Sequence, residues 1–376
     1  MSQERAKKKA GAGRAVSTLG DWAGTPARAS KAVWDWVRLE LPRKTVQAMT
    51  LPVYEKLGYK FEGHRAGDTQ VGLLRRTFNR PGRKPQALRR LVFLPGFGDS
   101  PVSWMPVFAL LQPALKRRFD EVILVEYPGS MGYLHAEKPF SSFDHQIQVV
   151  FDLLDGLRPQ VVFGHSLGGW LAASYSIACG RGERPSKTTL QYKGPEKIIL
   201  ANPSGVLADE KKKEEWLNRF RKARDRGSKH FRQFLFGQEP FWFGAVAESF
   251  MGFLDKKEVH DFMDSVAERH LVNDHLDSIE SKTWVLWGAT DTLVPSEWVH
   301  DWLERLNHPP AAQEAGHSKR ARRGMSHGVI IQGAGHSPHL ERPVTTAAAL
   351  GKILLGHAFQ PSTQFWERVG WQVLNG

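Results

Sequence analysis

Ser166 stands at the centre of Gly164-His165-Ser166-Leu167-Gly168, a G-x-S-x-G pattern continued by Gly169. The apolar run Val161-Val162-Phe163 precedes it, and a helix-forming stretch begins near Leu167. A serine on a sharp strand-to-helix turn is held in a strained backbone conformation. Its oxygen then projects at the carboxyl edge of a sheet, beside a helix N-terminus. Gly164 and Gly168 leave room for strand and helix to approach closely. The bare pattern recurs by chance. Set between a buried strand and a helix it is far more specific, and it marks Ser166 as a nucleophile.

A serine hydroxyl is weakly nucleophilic near neutral pH and needs a base oriented by an acid. Asp291 follows the run Val285–Thr290, and His336 follows Val329–Gly335. Each lies just past the carboxyl end of an apolar strand, where open α/β sheets bind ligands. The chain order Ser, Asp, His is the one used with this type of turn. Asp291 also has a plainer reading as a helix cap, a role Thr292 could fill. Fourteen other histidines compete with His336 for the role of base or surround it. His317 and His327 precede the last apolar strand and so sit at its wrong end. His339 opens the final helix, and His165 adjoins the nucleophile with its side chain expected to turn away. His336 is the expected base and Asp291 the expected acid.

Leu94-Pro95-Gly96-Phe97-Gly98-Asp99-Ser100 follows another apolar run, Leu91–Leu94. Acyl transfer develops negative charge on a carbonyl oxygen, and each preorganised N–H that stabilises it contributes about 3 kcal/mol. The expected oxyanion donors are the backbone amides of Phe97 and Leu167. Alone, the loop reads as an ordinary Pro-Gly turn; beside the Ser166 turn, the oxyanion reading is preferred. Trp104, His165, Phe241 and Trp242 are the expected substrate contacts.

Positioning these groups requires a sheet. Strand-like runs occur at residues 71–78, 91–94, 122–127, 161–164, 197–201, 283–287 and 329–332. The later ones are short and apolar throughout, which suits parallel strands buried on both faces. Helical stretches alternate with them at about 104–117, 142–156, 167–179, 296–306 and 339–356. This implies an α/β class with a mostly parallel, doubly wound sheet. Residues 204–280 interrupt the rhythm with helical patterns (Glu214–Arg224, Lys256–His270) and a cluster of phenylalanines. A structureless loop of that length is improbable, so a helical cap is expected before the penultimate strand. The cluster reads equally well as a wall for an apolar substrate or as the cap's own core. The expected organisation is an N-terminal extension (1–45), a core (46–203 and 281–358), a cap (204–280), a basic surface loop (308–327) and a C-terminal tail (359–376).

Of the 376 residues, 41% are hydrophobic, enough for one large core. The single cysteine excludes an internal disulfide, and no run of 18 apolar residues or secretory pattern is present. A cytoplasmic location is expected. The net charge is +13, and residues 1–45 hold ten Lys/Arg against four Asp/Glu. Residues 1–30 have a disordered composition. The Trp-bearing stretch around 31–41 (KAVWDWVRLEL), within the basic N-terminal segment, suits a helix docked on the body or one lying at a membrane surface. No nucleic-acid motif accompanies the charge.

The pieces LVFLPGFGDSPVSW (91–104), VVFGHSLGGWLAASY (161–175), VLWGATDTLVP (285–295) and GAGHSPHLERP (333–343) together resemble the α/β-hydrolase superfamily, in its cap-bearing branch of esterases, lipases and carbon–carbon bond hydrolases. The resemblance covers about residues 91–356. It implies nucleophile Ser166, acid Asp291, base His336, oxyanion donors Phe97 and Leu167, and a cap at 204–280. It also implies a serine hydrolase acting on a small-molecule acyl substrate, without metal or organic cofactor. Thioester hydrolysis, carbon–carbon hydrolysis, acyl transfer and a non-catalytic binding protein are the alternatives. Pro95-Gly96 replaces the usual His-Gly of the oxyanion loop, so the helper histidine is missing. Dehalogenase relatives carry aspartate at the turn; Ser166 argues against that chemistry.

Overall fold

Seven apolar runs become strands within two residues of their expected bounds, because each is buried by helices on both faces of one sheet. A computed structural model describes residues 41–78, 88–128, 130, 140–183, 192–206, 218, 228–307, 325–356 and 370–375. In chain order the elements are α1 (Leu41–Lys56), β1 (Lys60–Ala66), β2 (Thr69–Thr77), β3 (Arg90–Leu94), α2 (Met105–Arg118), β4 (Glu121–Glu126), α3 (Phe143–Leu157), β5 (Val161–His165), α4 (Leu167–Arg181) and β6 (Lys197–Ala201). The cap contributes α5 (Ser228–Leu235), α6 (Gly244–Leu254), α7 (Lys257–Asp264) and two 3₁₀ turns. The chain returns to the sheet with β7 (Lys282–Gly288), α8 (Trp298–Asn307), β8 (His327–Ile331), α9 (Pro338–Glu341), α10 (Pro343–Leu355) and β9 (Trp371–Asn375).

The sheet order is β1-β2-β4-β3-β5-β6-β7-β8-β9. Neighbours from β4 through β8 are parallel, and the outer pairs β1/β2, β2/β4 and β8/β9 are antiparallel. Side chains alternate between two cores, as the period of a strand demands. Val92, Val162, Leu200 and Trp287 face one, which continues into the cap. Leu91, Phe93, Phe163 and Leu286 face the other, under α2 and α10.

Four features differ from expectation. Strand β1 was not anticipated: Lys60–Ala66 (KFEGHRA) is a half-exposed edge strand with no apolar run. The tail contributes β9, which pairs with β8, so the cap enters before the third strand from the end, not the penultimate one. The expected helix at 339–356 breaks at Arg342, because Pro343 disfavours a helical conformation in the residue before it; Arg342 has φ −136° and ψ 56°. The expected helix at Lys256–His270 ends at Asp264 and resumes as a 3₁₀ turn, Glu268–His270. The segments 1–40, Glu214–Arg224 apart from Asn218, and 308–324 lie outside the described residues. Within 204–280 the described residues form helices and turns and no strand.

Candidate active site

Strand β5 ends at His165, and helix α4 begins at Leu167; Ser166 takes the whole turn itself, at φ 51° and ψ −116°. This is backbone that a non-glycine residue adopts only under constraint. The constraint is visible. The Ser166 N–H donates to the Ala201 carbonyl at the end of β6 (2.8 Å), and the Ser166 carbonyl accepts from Trp170 N (3.1 Å) in α4. A Cβ at Gly164 would stand 2.6 Å from Gly169 N, and one at Gly168 would stand 2.6 Å from the Pro95 oxygen. Both glycines are therefore required by close approach of backbone to backbone.

His336 Nε2 lies 3.0 Å from Ser166 Oγ, and His336 Nδ1 lies 2.8 Å from Asp291 Oδ2. All three residues are buried. The carboxylate's four acceptor sites are filled. Oδ1 accepts the amides of Leu293 (3.0 Å) and Val294 (2.9 Å), and Oδ2 also accepts Asn202 Nδ2 at 2.7 Å. Asn202 was not anticipated from the sequence. It follows β6, is fully buried and has φ 45°. Nothing in the chain's pattern announces that role; only the β6–β7 register brings it to Asp291.

Leu167 supplies the first amide of α4, which has no acceptor within its own helix, and Phe97 follows Gly96 in the loop after β3. Both residues line the cavity that holds Ser166 and His336. The Phe97 ring stacks on Phe262 (5.5 Å between centroids, 10° between planes), which ties the loop after β3 to α7.

Of the four expected substrate contacts, two line this cavity. Trp242 is 38% exposed at its edge, and His165 lies in its floor. Two do not. Phe241 is 99% exposed, one residue before Trp242 in the turn leading to α6, and projects away from the cavity. Trp104 is fully buried behind the cavity. It stacks on His339 (4.0 Å, 9°), and its Nε1 donates to Asp99 Oδ2 (3.2 Å). Its position at the start of α2 turns it inward, where it braces Asp99 of the loop after β3 and does not line the cavity.

His165 Nε2 donates to the His336 carbonyl (2.9 Å), bracing the loop that carries His336. Burial depresses the His165 imidazole to about 3, and it stays neutral. Burial also raises the nearby Asp99 carboxyl to about 6, against the pull of hydrogen bonds from Ser103, Ser100 and Trp104. Among the described residues no three His, Cys, Asp or Glu side chains form a metal-binding group.

The cavity measures about 240 Å³, and its lining is mostly apolar. Phe231, Phe236, Phe243 and Phe250 line the cavity and also pack on one another, as in the Phe236–Phe243 pair at 4.6 Å.

A second unanticipated residue ties the turn after α5 to the loop of His336. Glu341 Oε1 accepts Gly335 N, and Oε2 accepts Gly237 N and Gln238 N, all at 2.8 Å. The His336 N–H donates to Leu235 O at the end of α5 (3.0 Å). One carboxylate thus joins the turn before His336 to the turn after α5. Burial raises the Glu341 carboxyl above its usual range, and these backbone donors oppose the rise. Glu341→Ala leaves three amides without an acceptor, each costing about 1 kcal/mol or more. The expected result is a lower melting temperature together with a fall of about tenfold in kcat, with Glu341→Gln intermediate. An unchanged kcat per folded molecule would show that the clamp does not position His336.

The model of the Alpha/beta hydrolase family matches residues 91–349, more than half of the chain. The chain belongs to the alpha/beta hydrolase family. No curated protein matches this hydrolase in sequence. Solved structures resemble it in fold. A membrane phospholipase A described as a bacterial virulence factor is 19% identical, with 88% of this chain and 96% of that one covered and a TM-score of 0.59. The carboxylesterase CesB from Bacillus subtilis is 13% identical, covering 85% and 99%, with a TM-score of 0.56. The 2-hydroxy-6-oxo-6-phenylhexa-2,4-dienoate hydrolase of Rhodococcus sp. strain RHA1 is 16% identical, covering 80% and 98%, at 0.53. No helix among the described residues of the hydrolase is long and apolar enough to cross a membrane.

Proposed function

We propose that this hydrolase is a serine esterase that cleaves a carboxylic ester of an apolar acyl group through an acyl-enzyme. The observation that carries the reading is the unbroken hydrogen-bond chain Ser166–His336–Asp291 (3.0 and 2.8 Å) on the floor of an apolar cavity. In the mechanism, His336 Nε2 takes the proton of Ser166 as its oxygen attacks the acyl carbonyl. The Phe97 and Leu167 amides stabilise the oxyanion. His336 gives the proton to the leaving alcohol, then activates water to hydrolyse the acyl-enzyme and restore Ser166. Asp291 holds the Nδ1–H tautomer throughout. The apolar walls suit a hydrocarbon acyl chain, and they would equally admit a thioester or an aryl ketone, since one site hosts several chemistries.

Labelling by a fluorophosphonate probe tests this, with p-nitrophenyl esters of increasing chain length as substrates. Wild type is expected to label and turn over the esters, and Ser166→Ala to do neither. A folded wild type that neither labels nor turns over ester would overturn the reading in favour of a binding protein.

A second reading places the enzyme at a lipid surface. It is favoured by Phe241, 99% exposed beside Trp242 at the cavity's edge, and by the basic residues of segment 1–45. Phe241→Ser is expected to weaken co-sedimentation of the full chain with anionic vesicles; equal binding by both proteins would remove this reading.

A further inference from the structure

Helix α1 lies outside the stretch that matches the family, which begins at residue 91, yet it reaches the active site. Val46, Gln47, Thr50, Leu51 and Tyr54 recur at helical spacing and make its inward face. The opposite face is open to solvent and includes Met49, 70% exposed. The helix packs on α2 of the core and on α6 of the cap, and so bridges the seam between them. Val46 and Gln47 line the same cavity as Ser166; Gln47 is only 6% exposed. The cavity residues on either side of the seam are Val102 and Ser103 from the core, and Val246 and Phe250 from α6.

The other end of the helix is anchored. Tyr54 is fully buried, its ring meets Tyr59 edge to face (5.1 Å), and its hydroxyl donates to the Pro101 carbonyl at 2.6 Å. Pro101 directly precedes cavity residue Val102, so the anchor holds the helix to the loop that carries Phe97 and Asp99. Leu51 and Leu57 pack on the core behind it. A side chain on a helix fixed in this way has a set distance from the nucleophile.

From this arrangement we infer that α1 is a wall of the acyl site and that Val46 sets the length of chain it accepts. The inference rests on the proposed acyl-binding role of the cavity, and it assigns part of that cavity to a segment the family model does not include. Apolar contact grows with each methylene until the chain meets the wall. Affinity is therefore expected to rise about fourfold per methylene, then level off. A bulkier residue at 46 moves the levelling point to shorter chains, and a smaller one moves it to longer chains.

The test is displacement of a fluorescent fatty acid by saturated fatty acids of six to sixteen carbons (about that range spans the rise and the plateau). The protein is the full chain carrying Ser166→Ala, alone and combined with Val46→Trp, Val46→Ala or Met49→Trp. Expected is a plateau moved down by at least two carbons, about sixteenfold in affinity for the excluded lengths, in Val46→Trp. Val46→Ala is expected to move it up, and Met49→Trp to leave it in place. The same plateau in both Val46 variants, an equal shift in Met49→Trp, or no fatty-acid binding at all would overturn the inference. If Val46→Trp does not fold, Val46→Ala decides alone. A shifted plateau in a protein whose wild type turns over no ester would refute the esterase reading and leave the wall standing.

Discussion

Asp291→Asn is expected to lower kcat by about 10⁴ while the protein stays folded, because an orienting acid of this kind fixes a histidine tautomer. Asp291 meets four donors: His336 Nδ1, Asn202 Nδ2 and the amides of Leu293 and Val294. A carboxylate accepts from all four; an amide side chain must turn its NH₂ toward two of them. If the NH₂ replaces Oδ2, His336 has to present a bare Nδ1 and carry its proton on Nε2, where it can no longer take the proton of Ser166. If it replaces Oδ1, two backbone amides face a donor and the loop after β7 must shift. Either arrangement disables the base. Substrate binding depends on the apolar walls, so KM is expected to change little, and steady-state kinetics on the best p-nitrophenyl ester separates the two. A loss smaller than tenfold would show that Asp291 is not the orienting acid.

Gly168→Ala is expected to give the largest loss of stability, about 4 kcal/mol or more. A Cβ there would run into the Leu94 carbonyl oxygen and lie 2.6 Å from both the Leu94 carbonyl carbon and the Pro95 oxygen. These atoms are backbone. Leu94 belongs to β3, held between β4 and β5 in the middle of the sheet, so it cannot recede. The strain must lift α4 from the sheet, which carries away the Leu167 amide and the turn that presents Ser166. Gly156→Ala is the matched control. Gly156 lies in α3 with no heavy atom within 4 Å of the added carbon, and alanine there is expected to be neutral or to stabilise by about 0.5–1 kcal/mol. Thermal denaturation of the two variants against wild type measures the difference; similar midpoints would refute the close-approach account.

How much of this was legible in the sequence depended on where each signal resides. Val161–His165 and Lys197–Ala201 are buried on both faces, so an apolar run between charged or glycine boundaries specified them within a residue. Lys60–Ala66 pairs only with β2 and is largely open on both faces, which leaves no hydrophobic pattern to read. Ser166, Asp291 and His336 were marked because their chemistry and their strand ends coincide. Asn202 and Glu341 act through hydrogen bonds to residues 89 and 6 or more positions away, set by strand register and by the cap's return, and no local pattern encodes these. Trp242 and Phe241 show the finest grain: of two adjacent aromatic residues in one turn, one lines the cavity and the other is exposed, and composition cannot tell which.

The sheet grows outward from its centre in the order in which the chain is written, with β5, β6, β7 and β8 side by side and each appended after the last. Ser166 precedes β6, whereas His336 follows β8 and its loop is clamped by Glu341 further on. On the proposed triad, a ribosome making this chain from its N-terminus therefore completes the turn of the nucleophile well before the base is added. The proposed chemistry then waits for β8 and the loop after it, and a fragment that ends before β8 is expected to lack esterase activity, whatever part of the sheet it has already folded.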